Sequence, residues 1–327
     1  MNTIVGIDVS KGKLDVLWLK DPVSLKVKSK IVSNDRSGHT ELLSWLRKHL
    51  DQPFEHIHVV MEATGIYHEM LAYTLFEAGV KVSVVNPAQV RDFAKGLGTV
   101  HKTDKKDSVI LARYGALVSP PRWQPEPAPI RELKALLARI EALETDLQRE
   151  QNRLEKAGFS QASTIVIDSL QTMIAELQKE RDRLEREIDD HIDRHPDLKK
   201  DLQLLRSIPG IGPVLSRTML AVMRSRDFKK PEECAAFLGV IPQLKESGIW
   251  KGRTTLSKKG SPHVRAKLYM AAIVASQYNP AIKAQKERLL KNGKTKMQAL
   301  GAAMRKLVHQ CFAVLKYQTE YSLQAAL

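Results

Sequence analysis

Residues 101–116, HKTDKKDSVILARYGA, set Asp104 and Asp107 three apart among lysines. Positions i and i+3 are neighbours on a helix surface, so a helix starting there carries both carboxylates on one face. Two further acids stand where strands are expected to end: Asp8 closes IVGID and Glu62 lies in HVVMEATG. A carboxylate at the end of a buried strand is costly unless it is paired or holds a cation. If the two strands are neighbours, Asp8 and Glu62 point toward one spot, and Asp104 and Asp107 can complete it. Four hard oxygen donors with no His or Cys among them suit Mg2+, or Mn2+, rather than zinc. Two such ions can clamp the attacking and leaving oxygens of a phosphodiester. Each acid also has a structural reading: Asp8 could cap a turn and Asp104 could N-cap its helix. Asp15, in GKLDV, reads as a solvated strand residue.

A second constellation lies in residues 245–267, KESGIWKGRTTLSKKGSPHVRAK, with seven Lys or Arg against one acid. Turns and loops are expected, with basic side chains set to surround a phosphate backbone. Ser247 stands beside Gly248, with Lys245, Lys251 and Arg253 near in sequence. Those cations could stabilise a pentacovalent phosphate formed at a hydroxyl nucleophile. By residue type alone, Ser257 and Ser261 are as good. Lys258, Lys259 and Arg265 extend the basic run as nucleic-acid contacts. Upstream, LLRSIPGIGPVLSRTMLAVM reads as helix, Pro-Gly-x-Gly hairpin, helix. Amides around Gly210 and Gly212 can grip a phosphate at the second helix's N-terminus. This resembles a helix-hairpin-helix element, with a plain inter-helix turn as the structural reading.

The elements that must position these residues fall into four stretches. In residues 1–118, TIVGID, KLDVLWLK and SLKVKSKIVSN read as three strands close enough for an antiparallel meander. GHTELLSWLRKHL is helical, HIHVVME a buried strand, IYHEMLAYTLFEAG a helix and VKVSVVNP a strand ended by Pro87. The order βββαβαβα implies a mixed sheet flanked by helices. Together with the carboxylates it describes an RNase H-like, RuvC-type core. Residues 119–129, SPPRWQPEPAP, pack five prolines into eleven residues and read as a stiff linker. In residues 130–196, one apolar stripe runs through Leu133, Leu137, Ile140, Leu143, Leu147 and Leu154. Another runs through Leu170, Ile174, Leu177, Leu184 and Ile188, predicting a helical hairpin or a coiled coil with another subunit. Residues 197–327 read as a mostly α-helical basic domain.

Charge separates these stretches. The chain of 327 residues carries a formal +15. Residues 1–129 hold 17 Lys+Arg against 14 Asp+Glu, residues 130–196 hold 11 against 15, and residues 197–327 hold 24 against 8. A polyanion is therefore expected to dock mainly on the last third. The two cysteines, Cys234 and Cys311, are far apart and lie in no CxxC, which argues against a disulfide framework or zinc site. No stretch approaches the roughly 18 apolar residues of a membrane span, and the N-terminus does not read as a targeting leader. The expectation is a cytoplasmic protein with no membrane partner.

GIDVSKGKLDV, MEATGIYHE, VVNPAQVRDFAKGLGTVHKTDKKDSVILARY, SIPGIGPVLSRTMLA and FLGVIPQLKESGIWKGRTTLSKKGSPHVRAKLYMAA together resemble the DEDD-type transposases of bacterial insertion sequences. The resemblance runs in order over nearly the whole chain. It implies a RuvC-like domain, a coiled coil and a C-terminal transposase domain, with the DEDD carboxylates at Asp8, Glu62, Asp104 and Asp107. It implies that Ser247, in the ESG motif, is the nucleophile. It also implies guidance by a structured bridge RNA that pairs with donor and target DNA. The coiled coil would then assemble a dimer or tetramer in which domains of different subunits make composite sites. Rival readings are a metal-dependent nuclease or junction resolvase without a covalent intermediate, an actin-like ATPase suggested by GIDVSKGKLDV, and a non-catalytic nucleic-acid scaffold.

Overall fold

The computed structural model describes residues 3–21, 26–97, 104–160, 162–243, 246–247, 250–252 and 254–322; Asp104, Ser247 and Lys251 are described by their backbone alone. The chain divides into two compact units, Met1–Pro125 and Glu126–Leu327.

The first unit is built from β1 (Thr3–Val9), β2 (Lys13–Asp21), β3 (Lys26–Ser33), α1 (Arg36–Leu50), β4 (Ile57–Glu62), α2 (Glu69–Glu77), β5 (Lys81–Val85), α3 (Pro87–Gly96) and α4 (Asp104–Val118). The sheet order is β3-β2-β1-β4-β5, an antiparallel meander extended by two strands parallel to β1. This is the RNase H-like arrangement that the strand order in the sequence implies. Strand alternation sorts the side chains. Val5, Ile7 and Val9 of β1 join Val59 and Met61 of β4 in a core closed by Leu42 and Leu46 of α1 and Leu71 and Leu75 of α2. Gly6 and Val60 face the other way, toward α4. A Cβ on Gly6 would strike the Ser108 carbonyl oxygen and come within 2.7 Å of the Ala112 amide nitrogen, so α4 rests directly on the β1 backbone.

Two departures from the expected order have local causes. Pro87 ends β5 but also opens α3, because its fixed φ suits the first helical position and Asn86 caps the helix by accepting from the Ala88 amide at 2.8 Å. The proline-rich stretch read as a linker is tied to the first unit. Trp123 donates its amide to the Val82 carbonyl at 2.7 Å and sets its ring edge-on to Tyr73 and Phe76. The Ser83 hydroxyl bonds the Pro121 carbonyl at 2.9 Å.

The second unit contains α5 (Ala128–Phe159), α6 (Thr164–Asp193), α7 (Pro196–Arg206), α8 (Pro213–Arg224), α9 (Pro231–Phe237), β6 (Pro242–Gln243), β7 (Glu246–Ser247), β8 (Trp250–Lys251), β9 (Thr255–Leu256), α10 (Pro262–Tyr278), α11 (Pro280–Lys291) and α12 (Lys296–Tyr317). Each helix from α7 to α11 opens on proline, where the missing N–H is an unpaired donor in any case. Helices α5 and α6 form a hairpin within the chain. Its base buries Ile130, Leu133, Ile140 and Leu143 with Leu184, Ile188 and Ile192, in one core with α7, α8, α10 and α12. Its far end leaves Phe159 and Ile165 87% and 79% exposed. Where loops were expected between residues 242 and 256, two ladders form, β6 with β9 and β7 with β8. Among the described residues, no helix is long and apolar enough to cross a membrane.

Candidate active site

Register brings Asp8 and Glu62 level. β1 and β4 pair in parallel with Ile7 opposite Met61, so the next residues on each strand lie side by side at the strand ends. Neighbouring strands are about 4.8 Å apart, close enough for two carboxylates to share a cation. Ile7 and Met61 are fully buried on the α1–α2 side. Alternation therefore puts Asp8 and Glu62, both half-buried, on the α4 side.

Helix α4 brings in the other two acids. Its Ser108 lies over Gly6, and its Gly115 lies over Ile4 and Val60. The helix thus runs antiparallel to β1, with its N-terminus above the end that carries Asp8 and Glu62. Asp104 opens the helix, one turn before Ser108, and half-buried Asp107 precedes Ser108. The amide-rich N-terminus of a helix favours negative charge, which offsets part of the repulsion among acids gathered there. The Ser108 hydroxyl donates to the Asp15 carbonyl at 2.9 Å and pins the helix to β2.

One positioning residue lay outside the sequence reading. Asn34 donates from Nδ2 to the Ser10 carbonyl at 2.8 Å and to the Tyr67 carbonyl at 3.0 Å. It thereby ties the turn after Asp8 to the loop after Glu62. Its Oδ1 accepts from His39 Nε2 at 3.0 Å, and burial, opposed in part by the charge of Asp35, lowers the pKa of His39. The available signal was one asparagine in SNDRSG, which reads as a turn. Asp15 also departs from expectation. Its side chain is only 14% exposed and pairs with Lys13 at 3.0 Å, so it is not a freely solvated strand residue.

The donor set fits a hard divalent cation in kind, since every member is a carboxylate. Among the described residues, no three His, Cys, Asp or Glu side chains form a ready-made cluster, and Asp104 takes part through its backbone position alone.

In the second unit the structure separates the three serines. Ser261 N-caps α10, its hydroxyl accepting from the Val264 amide at 3.4 Å. The Ser257 hydroxyl is buried, and its amide donates to the Ile241 carbonyl at 2.9 Å. Ser247 sits in the β7–β8 hairpin, paired through its backbone with Trp250. Of the basic residues, Lys258 and Lys259 are exposed, whereas Arg265 is half-buried and donates to the Gly260 carbonyl. Lys245 and Arg253 lie outside the described residues. The two hairpin glycines differ. Gly210 has φ +100°, and a Cβ there would come within 2.6 Å of the Ala275 Cβ, so it serves the turn and the approach to α10. Gly212 precedes α8 with nothing within 4 Å of its Cβ position, which leaves that helix end open.

Both units match known proteins. Residues 5–157 match a transposase family of the DEDD type in IS110 elements, and residues 202–287 match the IS116/IS110/IS902 transposase family. The pilin gene-inverting protein of Moraxella bovis is 32% identical over 319 residues, covering 96% of each chain. The chain belongs to the IS110 transposase family. Its counterpart in Moraxella lacunata has the same identity and coverage. An insertion element IS110 protein of Streptomyces coelicolor is 25% identical over 158 residues, 48% of this chain and 38% of that one. Among solved structures, T. thermophilus RuvC in complex with a Holliday junction covers 37% of this chain and 99% of its own, at 19% identity and a TM-score of 0.26. As an IS110-family transposase the chain is a DNA recombinase, with its carboxylates in the first matched segment and its basic hairpin and ESG serine in the second.

Proposed function

We propose that this transposase cuts and rejoins DNA through a covalent phosphoserine intermediate at Ser247, with Asp8, Glu62, Asp104 and Asp107 holding Mg2+ or Mn2+. The observation that carries the reading is the level pair Asp8 and Glu62, on adjacent parallel strands beneath the N-terminus of α4. When bound, the metal supplies charge stabilisation at the phosphate. The Ser247 hydroxyl attacks a DNA phosphodiester, forming a P–O bond to Oγ while the bond to one deoxyribose oxygen breaks. That oxygen takes up a proton. The hydroxyl of another strand then attacks the phosphoserine, which restores the serine and makes a new phosphodiester. Ser261 and Ser257 are occupied by a cap and by burial, which supports Ser247 as the residue available for attack.

Partner choice follows from charge and from the family resemblance. The last 131 residues, 24 Lys+Arg against 8 Asp+Glu, bind the backbone of duplex DNA at the element's ends and target. A structured bridge RNA selects those sequences by pairing, a division of labour in which the protein holds shape and backbone. Self-association runs through the α5–α6 hairpin, whose exposed Phe159 and Ile165 are poorly suited to water.

The test incubates the purified protein with Mg2+, the element's ends and the RNA transcribed beside its gene, then resolves protein–DNA adducts on a denaturing gel. An adduct that needs RNA, metal and Ser247 is expected. Cleavage without an adduct, unaffected by Ser247→Ala, would replace this reading with that of a water-attacking nuclease.

A further inference from the structure

The carboxylate end of the sheet holds a fifth acid and a lysine outside the DEDD set. In the β1–β2 ladder Asp8 lies directly opposite Asp15. Opposed residues in an antiparallel pair share a face, so Asp15 stands beside Asp8 on the α4 side. Leu14 and Val16, on either side of it, turn into the opposite core. Lys13 is two residues before Asp15 and therefore shares its face. The Lys13 Nζ lies 3.0 Å from Asp15 Oδ2, and the side chains are 46% and 14% exposed. The pair thus has an inner acidic end and an outer cationic end. Both of its backbone surroundings are fixed: the Lys13 amide donates to the Ser10 hydroxyl at 3.1 Å, and the Asp15 carbonyl accepts from Ser108 of α4 at 2.9 Å.

We propose that Lys13 is a phosphate-binding residue of the recombinase site, held at its mouth by Asp15. This rests on the assignment of Asp8 and Glu62 as metal-holding carboxylates. A DNA phosphate must approach a cluster of acids, and two divalent ions would balance the four DEDD carboxylates but not Asp15 beside them. An unpaired Asp15 beside Asp8 would add repulsion against both the neighbouring carboxylate and the DNA. Pairing with Lys13 cancels it. The anchor also limits the rotamers of a long flexible side chain, which lowers the entropy lost when the ammonium meets a phosphate. An ammonium carries three donors, and the Lys13 side chain is 46% exposed, so a phosphate oxygen can reach it from solvent. Asp15 is accordingly a positioning residue, and Lys13 is the one that touches DNA.

The experiment uses the full chain with its RNA and a fluorescent duplex of the element's end, in Ca2+ to hold the reaction at binding. Lys13→Ala is expected to weaken binding about 5- to 10-fold and to make log K against log salt shallower by about one, as for a lost phosphate contact. Lys13→Arg is expected to keep both the affinity and the slope. Asp15→Asn is expected to weaken DNA binding less than Lys13→Ala, and to leave Mn2+ affinity, read by electron paramagnetic resonance, within about twofold of the parent. Circular dichroism establishes that each variant folds. Unchanged affinity and slope in Lys13→Ala would reduce the pair to an ordinary surface ion pair. A tenfold loss of Mn2+ affinity in Asp15→Asn would make Asp15 a metal ligand and overturn the proposal. Asp8→Asn is the separate control. If it binds Mn2+ as the parent does, the underlying metal assignment fails, whatever Lys13 does.

Discussion

In the first unit two of the four acids proposed to hold metal stand at the ends of long paired strands; in the second, Ser247, the proposed nucleophile, stands in a ladder two residues long. The carboxylates are placed by strand register, by the backbone contact of α4 at Gly6 and by the Asn34 brace. The β7–β8 hairpin has a slighter local frame, and its neighbours are anchored where Gly239 and Gly260 let two backbone segments pass closely. Charge differs in the same sense. Residues 1–129 are nearly balanced at 17 basic to 14 acidic, whereas residues 197–327 carry 24 to 8. The contrast matches two tasks. Metal ligands must be held to within about half an ångström by a rigid scaffold. On the serine reading, a nucleophile that carries a strand from one partner to another needs latitude, and the cations around it need only follow a backbone.

The largest expected effects test that division directly. Asp8→Asn and Glu62→Gln should each lower adduct formation by at least about 10^2–10^3-fold, the scale for losing electrostatic stabilisation of a transition state. Ser247→Ala should abolish the adduct while leaving Mn2+ binding unchanged. Adduct yield on a denaturing gel and Mn2+ titration check these outcomes. A Ser247→Ala protein that no longer binds Mn2+ would break the separation of roles.

The next effect sharpens the comparison through glycines. Gly6→Ala should destabilise the first unit by about 3 kcal/mol, because the new methyl meets the backbone of α4, which cannot give like a side-chain tip. Gly12→Ala, with nothing within 4 Å of its Cβ position, is the matched control and should be close to neutral. In the second unit, Gly210→Ala should cost about 2 kcal/mol, through the strain of φ +100° together with the approach to Ala275. Denaturant unfolding midpoints give all three values.

Those glycines also mark what could be read beforehand. The meander, the two parallel strands and the placing of Asp8 and Glu62 were legible, because period-two alternation and strand-end acids are local signals. Helix α3 was missed because Pro87 was read as a stop, although the Asn86–Pro87 pair is an N-cap followed by a first helical position. Asn34 and the Asp15–Lys13 pair were missed for a different reason. Their significance comes from partners brought together by register, Ser10 with Tyr67 and Asp8 with Asp15, and spacing along the chain does not show this. In the basic domain, residue type left Ser247, Ser257 and Ser261 equivalent. A buried hydroxyl, which is a tertiary fact, sets Ser257 apart, and a local cap in the Ser261–Pro262 pair, a signal the sequence already carried, sets Ser261 apart.

An effect of similar size belongs to the second unit's core. Asp201 is 3% exposed and takes a two-pronged bond from Arg224, with Gln318 Nε2 donating at 2.8 Å. Arg224→Ala should cost about 2–3 kcal/mol, below the range for a fully buried pair because the arginine is partly exposed and Gln318 remains. Arg224→Ala with Asp201→Asn should recover part of that loss in the same denaturant measurement, since no buried charge is then stranded.

The smallest effect is a difference in acid sensitivity between the units. Burial lowers the pKa of His39, His49, His58 and His68 in the first unit and of His309 in the second; the charges of Arg122 and Lys81 lower His58 further, and those of Lys28, Lys48 and Lys20 lower His49. A histidine whose folded pKa lies below its unfolded value, near 6.5, binds fewer protons when folded. Stability from such a group is therefore complete above about pH 6.5 and is lost as the pH falls, because the unfolded chain then takes up more protons. With four such residues against one among those described, the first unit should lose more stability between pH 7.5 and pH 5.5. Amide hydrogen exchange should show α1 and β4 losing protection before α12. Replacing His39 and His58 by glutamine should flatten the first unit's dependence and leave that of α12 where it was. Equal acid losses in both units would mean that these rings are protonated within the fold, and that the Asn34 brace does not depend on a neutral His39.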